Sequence, residues 1–362
     1  MRTEDLVTVE CQGGPRHRGR AHGEALRGVI AEKVARWHAA IGEAYGEAAD
    51  RFLPRFLAAT DFAPAIAKHV PDLAEEVRGI AEGAGLPHDT IYAMQLMDEE
   101  WWFGKTAGHG HCSSLAVPPG PRRPTLVAQT MDLSCWQDGT QALLKFEEND
   151  GSDTYIFTSA GMVGLMGLSG QGLGICVNML SQLGVDPRGV PVAFVMRGAL
   201  ASGSVEAAAE FLRGVPHASG QNYQLGGRQG VRTFECSAGG AVELVLDGGR
   251  SLHTNHPLTS RDRRHGKASL EGNKDSLGRL NSLRADLGAD RVAEPTRSDV
   301  KAALSARRED GAVSIVSAAD ARLTDPLTLG AVVYEIGDVI ELSVAAGPPS
   351  IESWRRIELR QS

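Results

Sequence analysis

The stretch Lys105-Thr106-Ala107-Gly108-His109-Gly110-His111-Cys112-Ser113-Ser114-Leu115-Ala116-Val117 joins two kinds of sequence. Its first half is short, polar and Gly-rich, the composition of a loop. Its second half begins a strand-like run. A cysteine therefore stands where a loop meets a strand edge, placed to attack the carbonyl that precedes it. A thiol nucleophile needs a base for its proton, and an amine freed at its own residue can supply one. Such an α-amine has a reference pKa of roughly 7.7–8.0, so part of it is neutral near pH 7.

Upstream of this junction the chain reads as helical. Leu26, Val29, Ile30, Val34, Trp37, Ile41 and Tyr45 recur at three- and four-residue steps, which predicts one long amphipathic helix. Asp72 to Ala84 predicts a second, stopped by Gly85 and Pro87, and Asp89 or Thr90 caps a third that runs toward Trp101. Downstream, short runs of strand character lie between turn signals: Thr125–Ala128, Ala142–Phe146, Thr154–Phe157, Gly161–Leu168 and Gly174–Val177. Helices are expected at Val192–Leu200 and Val205–Leu212, then strands at Val231–Cys236, Ala241–Leu246 and Arg250–Thr254. A leucine-spaced helix at Leu277–Leu287 and another at Ser298–Arg307 follow, before strands at Val313–Val316, Leu327–Tyr334 and Val339–Val344. Blocks of helices alternating with blocks of strands predict a layered α+β protein with mostly antiparallel sheets. The nearest approach to a linker is Thr106–Gly110, and no fixed-period repeat is present.

The chain has 362 residues, 42% hydrophobic, with 37 Lys plus Arg against 45 Asp plus Glu and a net charge of −8. That balance argues against a nucleic-acid partner. The basic run Arg261–Lys267 lacks interleaved aromatics and reads as a solvated loop. No apolar stretch is long enough to span a bilayer, and the polar start Met1-Arg2-Thr3-Glu4-Asp5 leads into no signal-type core, so the expected location is the cytoplasm with no membrane partner. The five cysteines, Cys11, Cys112, Cys135, Cys176 and Cys236, are scattered and form no CxxC pair. They are neither a disulfide framework nor a thiolate zinc site. Four of them read as small buried hydrophobes.

Three polar side chains stand at strand ends. Asp132, in Gln129-Thr130-Met131-Asp132, comes 20 positions after Cys112; Asn178 closes Gly174-Ile175-Cys176-Val177; Asn255 sits in His253-Thr254-Asn255-His256. An asparagine amide there can donate a neutral N–H to a developing oxyanion without the desolvation cost of a charge.

With these motifs in their order, the chain resembles the isopenicillin N acyltransferase-like proteins (the acyl-CoA:6-aminopenicillanic acid acyltransferase, peptidase C45 family) of cysteine N-terminal nucleophile (Ntn) hydrolases. The resemblance also takes in Arg18-Gly19-Arg20-Ala21-His22-Gly23, Gly79–Gly85, Thr328–Val333 and Ala346-Gly347-Pro348-Pro349. It implies an αββα four-layer sandwich, made as a precursor that cuts itself between His111 and Cys112. Residues 1–111 would form a helical N-terminal chain and 112–362 the catalytic chain, the two staying together as one unit. Cys112 would be the nucleophile and its α-amine the base. Asp132 would orient both, and Asn255 would donate to the oxyanion, with Asn178 as a further candidate. The family often has Gly where this chain has His111, and Asn where it has Thr130.

The expected activity is hydrolysis of a small-molecule amide through a Cys112 thioester, needing no cofactor, with acyl transfer to an amine as the alternative. Homo-oligomerisation is left open. A different reading makes His109, His111, His253 and His256 zinc ligands of a hydrolase, although no HExxH-type motif accompanies them. Another is a family member that has lost catalysis. Trp101 and Trp102 either pack a helix end or line an acyl pocket, and Arg197 reads as a structural ion-pair partner.

Overall fold

The described residues of the computed structural model, 1–104, 111–263 and 274–361, contain fourteen strands and eleven α-helices. The strands are Val7–Cys11 (β1), Ser113–Val117 (β2), Thr125–Ser134 (β3), Gln141–Glu147 (β4), Asp153–Ser159 (β5), Met166–Ser169 (β6) and Leu173–Met179 (β7). They continue with Gln221–Gly227 (β8), Gly230–Ser237 (β9), Gly240–Glu243 (β10), Ser251–His253 (β11), Pro326–Ile336 (β12), Ile340–Ala346 (β13) and Arg355–Glu358 (β14). One sheet has the order β1-β4-β5-β6-β7-β8-β9-β10 and the other β11-β2-β3-β12-β13-β14. Only the β1–β4 pair among them is parallel.

The helices are Pro15–Ala25 (α1), Arg27–Tyr45 (α2), Ala49–Ala58 (α3), Ala63–His69 (α4), Pro71–Ala84 (α5), His88–Met94 (α6) and Met97–Phe103 (α7). Val192–Leu200 (α8), Val205–Gly214 (α9), Lys274–Leu287 (α10) and Arg297–Leu304 (α11) complete them. The two sheets face each other, with β2, β3 and β12 against β7, β8 and β9. Helices α8 and α9 cover the larger sheet, and α10 and α11 cover the smaller one. This is an αββα sandwich.

The inner strands are buried on both faces, so they show no simple alternation of apolar and polar residues. Along β2 and β3, Ala116 and Val127 point into the main core. Leu115, Val117, Leu126 and Ala128 point the other way, into a second core closed by Leu283, Leu287, Val300 and Leu304 of α10 and α11. On α9 the expected Ser204 cap is present, its hydroxyl accepting from the Ala207 amide at 3.2 Å.

Helices α1 and α5 cross with almost no space between backbones. A Cβ on Gly19 would lie 1.9 Å from the Glu76 carbonyl oxygen, and one on Gly79 would lie 2.1 Å from that of Arg16. Gly23 and Gly83 repeat the contact one turn on, so the four-residue glycine spacing in each helix is a crossing surface. His22, buried in this crossing, accepts the Gly161 amide on Nε2 at 3.0 Å. The pair thereby braces the loop between β5 and β6.

Three expectations are corrected. The helix expected from Asp89 to Trp101 breaks between α6 and α7, because the Gln95 side chain turns inward to bond Ile91, Gly161 and Val163. Gly161–Leu168 is strand only from Met166: Gly161 adopts a positive φ of 84°, and the chain turns there. Val313–Val316 is not a strand; it lies beside β12 through two bonds between Ile315 and Thr328. The Thr106–Gly110 linker, and Arg264–Lys267 of the basic run, lie outside the described residues.

Candidate active site

Cys112 immediately precedes β2, an inner strand held by β11 on one side and β3 on the other. His253 pairs with Ser114 and Ser113 with Thr130. Continuing these antiparallel registers brings Asn255 and Met131 level with Cys112. Asp132 follows on β3 and pairs with Thr328 of β12. Cys112, Asp132 and Asn255 thus converge at one end of the inner strands of the smaller sheet, while Asn178 lies on β7 of the larger one.

Cys112 is buried, with its Sγ 3.6 Å from Met131 Sδ and 3.9 Å from the Asp132 carbonyl oxygen. Burial, reinforced by the Asp132 carboxylate, pushes its thiol up to about 12. A thiol so placed stays protonated until a base takes its proton. Asp132 is fully buried, and burial raises its carboxyl to about 7, even though Thr328 Oγ donates to Oδ1 at 2.6 Å. Its Oδ2 has no hydrogen-bond partner among the described residues.

Arg279, on α10, was not singled out in the sequence. It is wholly buried and spends its donors on the junction itself. Nη1 donates to the carbonyl oxygens of His111 (2.5 Å) and Cys112 (2.7 Å) and to Ser113 Oγ (3.0 Å). Nη2 donates to Asn255 Oδ1 at 3.1 Å, and Nε to Asp275 Oδ2 at 2.8 Å. The same Asp275 oxygen lies 3.0 Å from His111 Nδ1. Burial would raise the Asp275 carboxyl, but His111 and Arg279 outweigh it and hold the group well below the usual carboxylate range.

Arg279 also fixes Asn255. With Oδ1 tied to the guanidinium, Nδ2 is the donor end, and it meets the Met179 carbonyl at 2.9 Å. Ser276, one helical turn before Arg279, accepts the Asn255 amide at 2.8 Å. The one available sequence signal was the spacing Ser276-Arg279-Leu283, which puts an arginine on the buried stripe of a leucine helix.

Asn178 lies deeper. Its Oδ1 accepts from Ser114 Oγ and from Asn222 Nδ2, the latter at 3.1 Å, while its Nδ2 has no partner among the described residues. It is not among the residues that line the cavity at Cys112. That cavity is walled by Met97, Met131, Met162, Met179 and Met196, with Trp101, Asp98 and Gln221. Trp101 therefore faces it, and Trp102 is not part of its lining.

The other expected histidines are engaged locally. His253 bonds the Thr254 carbonyl (2.7 Å) and Glu235 (3.0 Å), and His256 lies 2.8 Å from Ser276 Oγ. Among the described residues no group of three His, Cys, Asp or Glu side chains could hold a metal ion, and His109 lies outside them. Arg197 forms the expected structural pair, its guanidinium gripping both Glu76 oxygens at 2.7 and 2.9 Å.

Two sheets packed between helices, with a cysteine heading an inner strand, define the Ntn-hydrolase class of fold. Residues 122–301 match the family model described as "Acyl-coenzyme A:6-aminopenicillanic acid acyl-transferase", a span that holds Asp132, Asn178, Asn255 and Arg279 and begins ten positions after Cys112. The chain is 25% identical over 272 residues to the acyl-coenzyme A:6-aminopenicillanic-acid-acyltransferase 40 kDa form of Emericella nidulans, covering 74% of this chain and 73% of that protein. Among solved structures, a Caenorhabditis elegans N-acylethanolamine-hydrolyzing acid amidase ortholog aligns with a TM-score of 0.42 at 13% identity, over 61% of this chain and 92% of that one. Penicillin V acylase from Agrobacterium tumefaciens aligns with a TM-score of 0.38 at 15% identity, over 68% of this chain and 86% of that one. The chain belongs to the acyl-coenzyme A:6-aminopenicillanic acid acyl-transferase family.

Proposed function

We propose that this protein is a cysteine amidohydrolase that activates itself by cutting its His111–Cys112 bond. The observation that carries the reading is Arg279, a buried cation resting on the carbonyl oxygen of His111 while orienting the Asn255 amide beside it. In the first reaction Cys112 Sγ attacks the His111 carbonyl carbon. The C–N bond breaks as the proton of the thiol passes to the departing nitrogen, leaving a thioester. Asp132, with a free Oδ2 and a carboxyl raised to about 7, is suited to relay that proton. Arg279 stabilises the negative oxygen of the tetrahedral state. Water then splits the thioester, releasing the His111 carboxylate and the Cys112 thiol and α-amine.

In the mature enzyme the same thiol attacks a substrate amide, with its own α-amine taking the proton and returning it to the leaving amine. Asn255 donates to the oxyanion, and the acyl group stays on Sγ until water removes it. The name of the Emericella nidulans relative favours a second reading, in which an amine rather than water takes the acyl group. Transfer then needs a site that holds the amine at high effective concentration.

The deciding experiment is the intact denatured mass of the wild type beside Cys112→Ala. Fragments 1–111 and 112–362 from the wild type, with an uncut variant, support self-activation. Two uncut chains overturn it. Incubating the cut enzyme with an amide substrate and a competing amine then separates hydrolysis from transfer by product mass.

A further inference from the structure

The cavity at Cys112 is apolar along most of its wall; besides Asp132 at the nucleophile and Gln95, whose amide is bonded at both ends, two further acceptors interrupt it. Asp98 and Gln221 both line it and both are buried. Gln221 Nε2 donates to Asp98 Oδ2 at 2.6 Å and to Ser219 Oγ at 3.2 Å. Its Oε1, on a residue 1% exposed, meets no donor among the described residues. No lysine, arginine or histidine lines the cavity, so nothing there offsets the Asp98 charge. Burial raises the Asp98 carboxyl and that of the adjoining Glu99, also buried, which the neighbouring Asp98 pushes up further.

Such a wall presents an uncompensated carboxylate, a carbonyl lacking a donor and an aromatic side chain, Trp101. Buried acceptors of this kind cost stability until a donor meets them. A hydroxyl would satisfy the Gln221 carbonyl and leave the carboxylate unbalanced. An ammonium satisfies both and is also attracted to an indole face. The methionines around it suit a methylene stem, being flexible and polarisable.

We propose that the cavity takes an acyl group whose chain ends in a protonated amine, an ω-aminoalkanoyl group, with the ammonium held by Asp98 and Gln221 Oε1 and the carbonyl carbon at Cys112. This rests on Cys112 being the nucleophile of the mature enzyme.

The test compares p-nitroanilides of unbranched ω-amino acids of three to six carbons with alkanoyl p-nitroanilides that carry a methyl group in place of the ammonium. The ω-amino series is expected to give kcat/KM higher by about tenfold to a hundredfold at its best length, the size of hydrogen bonds to a charged group. Asp98→Asn can still accept from Gln221, and it should bring the ratio of the two series close to one. Equal rates, a preference for the alkanoyl series, no turnover of either, or a preference that survives Asp98→Asn overturns the inference. Acylation of Cys112 by p-nitrophenyl acetate, located by peptide mass, reports the nucleophile separately. If Cys112 is acylated and the preference is missing, the acyl-group assignment alone fails. If Cys112 is inert, the catalytic reading fails with it.

Discussion

Arg279 and His111 are separated by 168 positions of sequence and joined by one 2.5 Å hydrogen bond, from a guanidinium Nη1 to the carbonyl oxygen of the bond that precedes Cys112. A cation wholly withdrawn from water is costly unless its donors are all engaged. Here they are spent on two successive carbonyls, a serine hydroxyl, Asn255 and Asp275. In the proposed self-cleavage, the His111 carbonyl oxygen is where negative charge would develop.

Replacing the arginine should stall maturation. Arg279→Met is expected to slow formation of the 112–362 fragment by roughly a hundredfold or more, as loss of one oxyanion donor does elsewhere. Arg279→Lys keeps the charge but not the fork that reaches Asn255, and should cut faster than the methionine variant yet turn over substrate poorly once cut. Timed mass spectra after synthesis separate the two effects; wild-type kinetics in both variants would show that the guanidinium plays no part.

Thr328 tunes Asp132. Its hydroxyl bond lowers a carboxyl that burial raises, so Thr328→Val should push the Asp132 carboxyl higher still. If the ionised carboxylate is the working form, the acid limb of the kcat/KM profile moves to higher pH. An unmoved limb in an active Thr328→Val enzyme would detach Asp132 from the pH dependence.

Glu100 offers a stability test away from the nucleophile. Burial raises its carboxyl to about 7, although Trp37 Nε1 and the Tyr45 hydroxyl donate to it. A carboxyl raised in the folded state binds a proton there that the unfolded chain has already lost, so its stabilising contribution declines as pH rises. In an uncut Cys112→Ala background, adding Glu100→Gln keeps an acceptor for the indole and removes the titration. The stability difference between the two proteins, by urea unfolding, should fall from the ordinary glutamate pKa of 4.5 up to about 7 and be flat above. A difference constant across that range would mean that Glu100 is not buried as described.

Gly79 in the α1–α5 crossing and Gly42 on the open side of α2 should respond to alanine with opposite signs. Gly79→Ala drives a methyl into the Arg16 carbonyl and should cost about 2–3 kcal/mol or prevent folding. Gly42, helical and with nothing within 4 Å of its absent Cβ, should gain roughly 0.5–1 kcal/mol on change to alanine. Thermal melts of the two variants check both signs.

Much of this architecture could be read along the chain, because layers of helix and strand differ in period and because turns are rich in glycine. Cys112, Asp132 and Asn255 stood out as polar or reactive groups at strand ends, and the registers of β11, β2 and β3 bring those ends together. Arg279 and Asp275 did not stand out. An arginine on a helix is ordinarily solvated, and its contacts with the residues around Cys112 span more than 160 positions. The break at Gln95 was hidden for the same reason: its cause is a carbonyl and an amide on the loop near Gly161, invisible to local periodicity. Gly161–Leu168 has the composition of a strand, and only the brace from His22 shows why it turns.

One consequence of the strand layout concerns recovery rather than reaction. Residues before Cys112 supply edge strand β1, the crossed helices α1 and α5, and Met97, Asp98 and Trp101 of the cavity wall, while β2 lies locked between two neighbours. Were the His111–Cys112 bond opened, the pieces would stay interleaved, yet a melted enzyme would have to reassemble from two molecules instead of one. The mature form would then carry a memory of having folded whole. Its lifetime would be set by the height of the unfolding barrier, and heating would be a one-way step for the cut protein but reversible for uncut Cys112→Ala.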